Sequence, residues 1–189
     1  MASQIKVNEI IKQSGSSISI GESGDTINIG TTGDTINLAG SAYAAAGTNT
    51  PSFGAKLSSN QSLSASTQTK MQLATELWDT DSAFDSSTNY RFTVPSGEAG
   101  KYMFIGSGNI GAMSDNADVR MTFYKNGSSS NQGNIRYYVG GSGVGMYFTS
   151  SAVIDLAVSD YVELYQYASS GNHFDAGMTY FYGYKLIGV

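Results

Sequence analysis

The chain has 189 residues, a net charge of -5 and a pI near 4.6, with its ten basic residues scattered. That balance speaks against a phosphate-backbone partner, which would draw on clustered Lys and Arg. Cysteine is absent, excluding disulfides and thiolate metal sites, and no segment approaches the ~20 apolar residues of a membrane-spanning helix.

The length suits one full-sized domain with a short appendage. Twenty-three Gly and 13 Tyr, with abundant Ser, Thr and Asn, point to strands joined by tight turns. Residues 1–14 form a leader with Ile5, Val7, Ile10 and Ile11 as its apolar positions and no apolar run of signal-peptide length. The expectation is a soluble protein made in the cytoplasm.

Residues 15–40 repeat at nine-residue spacing: Gly15-Ser-Ser-Ile18-Ser-Ile20, Gly24-Asp-Thr-Ile27-Asn-Ile29 and Gly33-Asp-Thr-Ile36-Asn-Leu38. Each unit is a turn glycine followed by apolar/polar/apolar alternation, a very short strand with one sticky face. Such a unit gains stability only by stacking on neighbours. Copies wound together from several chains would supply that burial, so the repeat predicts an oligomeric β stalk packed through Ile18, Ile20, Ile27, Ile29, Ile36 and Leu38. A Ser/Gly/Thr linker is the plainer alternative. A calcium β-roll is rejected, because one acid per unit, Asp25 or Asp34, falls short of ~6–8 oxygen ligands.

Residues 41–52 read as a linker, and the texture changes at Phe53. Strand-like runs follow at 53–57, 70–78, 90–94, 101–106, 118–127, 134–140, 144–150, 152–158, 160–168 and 177–189. Turn chemistry such as Asn126-Gly127 and Pro95-Ser-Gly97 separates them. Many short strands without a convincing helix predict an all-β sandwich or jelly roll over 53–189. Large side chains on both faces of 120–124 and 178–186 imply that both faces are covered.

The chemistry-bearing motifs are weak. Gly106-Ser-Gly108-Asn-Ile-Gly111 has dinucleotide-loop spacing, but another strand follows where a helix should open, and position 126 is Asn where an acid is required. Loop or bulge glycines are expected there and at Gly140 to Gly145. His173 is the single histidine, with no nucleophile elbow around it, so a loop or strand-start role is expected and a His/Cys zinc site within one chain is excluded. Asp79, Asp81 and Asp85 cluster as calcium ligands would, yet the EF-hand spacing fails, and Asx turns are the favoured reading. Asp115, Asn116 and Asp118 are a similar, weaker case. No cofactor is expected. Paired carboxylates for glycoside hydrolysis are a tertiary property that sequence leaves open. The Tyr, Trp and Asn content suits carbohydrate contact and equally a sandwich core or a trimer interface.

The order of features from residue 53 resembles the C1q/TNF-like jelly-roll superfamily. It runs through Phe53-x-Ala55-x-Leu57, Glu76-Leu77-Trp78-Asp79, Phe84-Asp85, Thr88, Tyr90, Phe92-x-Val94-Pro95 and Gly100-Lys-Tyr102-x-Phe104. Val119-Arg-Met121, Tyr124-Lys-Asn126-Gly127, Ala152 to Leu156, Asp160-Tyr-Val162 and Phe174 to Leu186 continue it. Ser159 departs from the pattern, standing where a glycine before the Asp is usual, and the nine-residue repeat replaces a collagen-like stalk. The resemblance implies a homotrimer with chain ends near the three-fold axis. The leader IKVNEI with SISIG and TINIG also looks like the amino ends of small virion proteins of tailed phages.

Together these lead to a non-enzymatic virion protein: a trimeric fibre or spike, such as a phage tail fibre, whose leader anchors it to other virion proteins. Its head would contact a host-surface glycan or protein. Alternatives are a capsid decoration protein without a receptor role and, from another class, a polysaccharide-degrading tail enzyme. A secreted complement-type ligand would be expected to bring a signal peptide and cysteines.

Overall fold

Alternation of apolar and polar residues, reversed at glycine, asparagine and serine turns, folds the chain into strands over residues 49–170 and 173–186, the part that the computed structural model describes. The leader, the nine-residue repeat with its six packing positions, and the linker up to residue 48 lie outside the described residues. In chain order the first strands are β1 (Ser52–Lys56), β2 (Gln61–Ser62), β3 (Thr69–Lys70), β4 (Thr75–Asp79), β5 (Phe84–Asp85), β6 (Arg91–Thr93) and β7 (Gly100–Met113). There follow β8 (Asp118–Lys125), β9 (Ser128–Ser129), β10 (Ile135–Tyr138), β11 (Val144–Leu156), β12 (Tyr161–Ala168), β13 (His173–Phe174) and β14 (Tyr180–Lys185).

The strands form two antiparallel sheets. In the first, β7 pairs β11 on one side and β14 and β13 on the other, and the sheet continues through β14 to β1 and β4, and through β13 to β2. In the second, β8 pairs β10 and β9 on one side and β12 on the other, with β6, β5 and β3 beyond β12. The alternation along each strand puts one set of side chains between the sheets. Phe53 sits at the hub, its ring 4.7 Å from Phe84, 5.2 Å from Phe92 and 5.0 Å from Phe181. Tyr102, Phe104, Phe123, Met121, Leu164 and Ile110 complete a continuous buried layer.

The two-residue turn Asn126-Gly127 joins Lys125 to its partner Ser128, with φ of +51° and +77° at its centre. A type I′ hairpin needs both central residues in that region, which is why Asn-Gly marks it in sequence.

Several expected strands were misjudged in extent. The run 70–78 is broken, since only 69–70 and 75–79 are extended and paired. The runs 144–150 and 152–158 are one strand, because Ser151 between them is an outward position paired with Ile105, and Ser150 carries the inward alternation of Phe148, Ala152 and Ile154 past it. The run 101–106 extends through Met113, carrying Gly106, Ser107, Gly108 and Asn109 into the middle of a 14-residue strand. These glycines are not a loop. A Cβ on Gly106 would stand 2.7 Å from Met121 Sδ, and one on Gly108 would stand 2.8 Å from Gln166 Oε1. Glycine is there because side chains of the facing sheet fill the space. Only at Gly111 and Ala112, where pairing to Val144 and Met146 shifts register, is the expected bulge found.

Ser159, the departure from the family pattern, has φ of +69°. The left-handed region costs a non-glycine residue ~1–2 kcal/mol, and glycine loses ~0.4–1 kcal/mol of that advantage through its freer unfolded chain. Ser159→Gly is therefore expected to stabilise the protein by about 0.5–1 kcal/mol. A urea midpoint that stays put or falls would overturn this.

Candidate functional site

The outer face of the first sheet is built from the residues that point away from the core. Across β4, β1, β14, β7 and β11, Trp78, Gly54, Tyr182, Ile105 and Ser151 lie side by side. The next row holds Ser52, Tyr184, Met103 and Val153, and another holds Lys56, Tyr180, Ser107 and Thr149. The Trp78 ring lies flat over Gly54, where a Cβ would meet it at 2.4 Å, and stacks on Tyr182 at 5.5 Å and 11°. Tyr180 stacks on the other flank of Tyr182 at 5.8 Å and 15°. Burial in this row, and the neighbouring Tyr180 and Tyr184 phenols, push the Tyr182 hydroxyl above its ordinary pKa. Trp78 and Val153 remain 36% and 45% exposed. The result is an aromatic and aliphatic surface that the fold's own core does not cover, bordered by the Lys101–Asp155 and Lys185–Glu98 ion pairs.

The outer face of the second sheet has a different chemistry. Arg136, Arg120 and Tyr167 stand abreast on β10, β8 and β12, and Tyr138 stands opposite Asp118. Asp118 is buried and receives both guanidinium groups. Arg120 donates through Nε at 3.1 and 3.0 Å and through Nη2, while Arg136 donates through Nε at 3.1 Å and Nη2 at 2.9 Å. Arg120, with Arg136 beside it, holds the Asp118 carboxyl below its ordinary pKa against the opposing effect of burial. Each guanidinium also lies on a ring, Arg120 over Tyr167 at 4.5 Å and Arg136 over Tyr138 at 4.9 Å. Further along, Tyr124 meets Tyr165 edge-on at 3.9 Å, and Lys70 pairs with Glu163 at 3.0 Å. Sequence reading placed Asp118 only in a weak Asx cluster. Its partner Arg136 is 18 positions away, and the one local signal was Arg120 two residues on, the same-face spacing of a strand.

The carboxylates singled out from sequence are engaged locally. Asp79 accepts from the backbone N–H of Asp81, Ala83 and Phe84 at 3.3, 3.1 and 2.8 Å. Asp85 accepts from those of Ser87, Thr88 and Asn89 at 3.0, 2.9 and 3.1 Å, which holds its carboxyl well below the usual range. Asp81 accepts from the Thr80 hydroxyl at 2.6 Å. Asp79 and Asp85 are Asx-type caps, as expected, whereas Asp81 serves a neighbouring hydroxyl and caps no backbone group among these bonds. Asp115 serves the loop glycines, accepting from Gly141 N–H at 2.7 Å. His173 opens β13. No group of three or more His, Cys, Asp or Glu that could hold a metal ion is present among the described residues.

Asp160 accepts from Asn126 Nδ2 at 2.7 Å, pairs with Lys125 at 2.9 Å and caps Ala157 N–H at 2.8 Å, which together hold its pKa at about 2. A glycosidase's general acid needs its pKa raised, so Asp85, Asp118 and Asp160 are all displaced the wrong way for that role. A cavity of about 480 Å³ beside β2 and β3 is lined by Ser58, Asn60, Gln61, Thr69, Gln72 and Tyr90 among others, with no carboxylate, histidine or basic side chain in its wall.

No protein-family model and no curated protein sequence matches the chain. Among solved structures it is similar to the globular domain of zebrafish complement 1qA protein, with TM-score 0.52 and 17% identity over 72% of this chain and 97% of that one. It is also similar to Eiger TNF from S. frugiperda, with TM-score 0.49 and 12% identity over 73% and 92% of the two chains. The paired antiparallel sheets and the likeness to the complement domain show the fold: residues 49–170 and 173–186 build a jelly-roll sandwich similar to that domain.

Proposed function

We propose that this chain is a non-enzymatic virion structural protein, a homotrimeric fibre or spike of the phage tail-fibre type whose jelly-roll head contacts the host surface. The observation that carries the trimer is the outer face of the first sheet. Trp78, Tyr182, Tyr184, Met103, Ile105 and Val153 form a contiguous apolar and aromatic area, the composition of an interface centre and not of a solvated sheet face. Symmetry mates would bury it. The nine-residue repeat asks for the same partners, through Ile18, Ile20, Ile27, Ile29, Ile36 and Leu38. In this reading residues 1–14, with Ile5, Val7, Ile10 and Ile11, anchor the assembly to other virion proteins. Three identical heads would raise the effective concentration of weak host contacts, worth ~10²–10⁴ in avidity.

Light scattering of the full chain at micromolar concentration is expected to give the mass of three chains, and antibody against the head is expected to decorate tails of intact particles. A monomer overturns the assembly. Decoration confined to the capsid would make it a capsid protein instead, and unlabelled particles would remove the virion role altogether.

A further inference from the structure

The two outer faces differ in kind. On β8, β10 and β12 the outward positions are Asp118, Arg120, Thr122 and Tyr124, then Arg136 and Tyr138, then Tyr161, Glu163, Tyr165 and Tyr167. There is no aliphatic side chain among them. Tyrosine and arginine are among the residues enriched in contact surfaces. This face offers ring faces for the C–H faces of sugars and hydrogen-bonding groups for hydroxyls.

Its centre also breaks a rule of sheet construction. Arg136 and Arg120 are directly opposite each other across β10 and β8, and like charges so placed destabilise the pair. Asp118 supplies one negative charge for two guanidinium groups, leaving a local excess of one positive charge in a chain of net charge -5. Asp118 occupies the Nε and Nη2 side of each guanidinium, which leaves the Nη1 sides for another acceptor. The Arg120 and Arg136 side chains are 35% and 51% exposed, and the tyrosine rings beneath them hold both in place. Local violations of this kind concentrate at functional sites. The missing partner is a second anion, and a planar carboxylate suits guanidinium forks already arranged around one.

We propose that this face binds a carboxylate-bearing polysaccharide, with a uronate carboxylate on the Nη1 sides of Arg120 and Arg136 and hydroxyls of adjoining sugars on the phenol groups of Tyr138 and Tyr167. That the polymer belongs to a host surface rests on the attachment role proposed above, whereas the recognition chemistry is a property of the head alone.

Isothermal titration of the full chain with tetragalacturonate tests it. Saturable binding is expected, weakened by at least about tenfold when the carboxylates are methyl esters, since a hydrogen bond to a charged group is lost. Arg136→Lys keeps the charge and loses the fork, and a similar loss is expected with the circular dichroism of the unaltered protein retained at the titration temperature. Should that variant fail to fold, the acid-against-ester comparison on the unaltered protein decides. The proposal is overturned by no binding at millimolar ligand, by an ester or a folded Arg136→Lys variant that binds as tightly, or by polyglutamate matching tetragalacturonate, which would make an acidic polypeptide the partner. Binding with unlabelled particles would retain this site and refute the virion role. Labelled particles without binding would do the reverse.

Discussion

Phe53→Ala is expected to destabilise the protein by about 3–5 kcal/mol, the range of a fully buried phenylalanine cut to alanine. Phe53 has no exposed surface and its ring contacts Phe84, Phe92, Phe104 and Phe181, which come from both sheets. Removing it loses the transfer free energy of the ring and leaves a cavity. Its own strand β1 is paired on both sides, with β14 and β4, and is held from collapsing into the gap. The alternative, that neighbouring rings close the space, is testable because their stacking geometry would have to change. Because the proposed assembly would make stability depend on concentration, urea unfolding is compared at one protomer concentration. A loss below about 1 kcal/mol would show that the layer relaxes and that Phe53 is not its hub. The thermal midpoint is expected to fall by more than about 10 °C.

Ile105→Lys is expected to leave the fold intact and abolish assembly. Ile105 lies between Tyr182 and Ser151, near the middle of the outer face of the first sheet, and is half-buried in the isolated chain. A lysine there can extend its ammonium into water in a monomer. Covered by a symmetry mate, it would be a buried charge with no partner, at a cost of ~3 kcal/mol or more per interface, roughly a hundredfold in affinity. Sedimentation should report a monomer with the circular dichroism of the unaltered protein. A variant that assembles as the unaltered protein does would remove the outer face of the first sheet from the proposed interface.

Ser159 shows how far a linear pattern carries. The resemblance marked position 159 as one that wants glycine, and the backbone there is left-handed. Asn126-Gly127 likewise announced its turn, and the Asx residues of 79–89 announced theirs, because the acceptor and the N–H groups it serves are two to five positions apart. Where the sequence reading failed, the deciding atom lay elsewhere in the chain. Gly106 and Gly108 looked like a loop because their constraint is Met121, Leu164 and Gln166 on the opposite sheet. Ser151 reads as a break between two strands because a small polar residue gives no sign of which side it faces.

The all-β class, the strand-and-turn grammar, the lack of cysteine chemistry and the nine-residue repeat are legible along the chain, since each is written in composition or in neighbours a few residues apart. Which side chains share a face is settled by strand pairing. It brought Arg136 to Arg120 and Asp118, and it laid Trp78 over Gly54 beside Tyr182. Strand pairing joins residues whose separation along the chain carries no signal. The two outer faces, one apolar and one of rings and guanidinium groups, are therefore products of register.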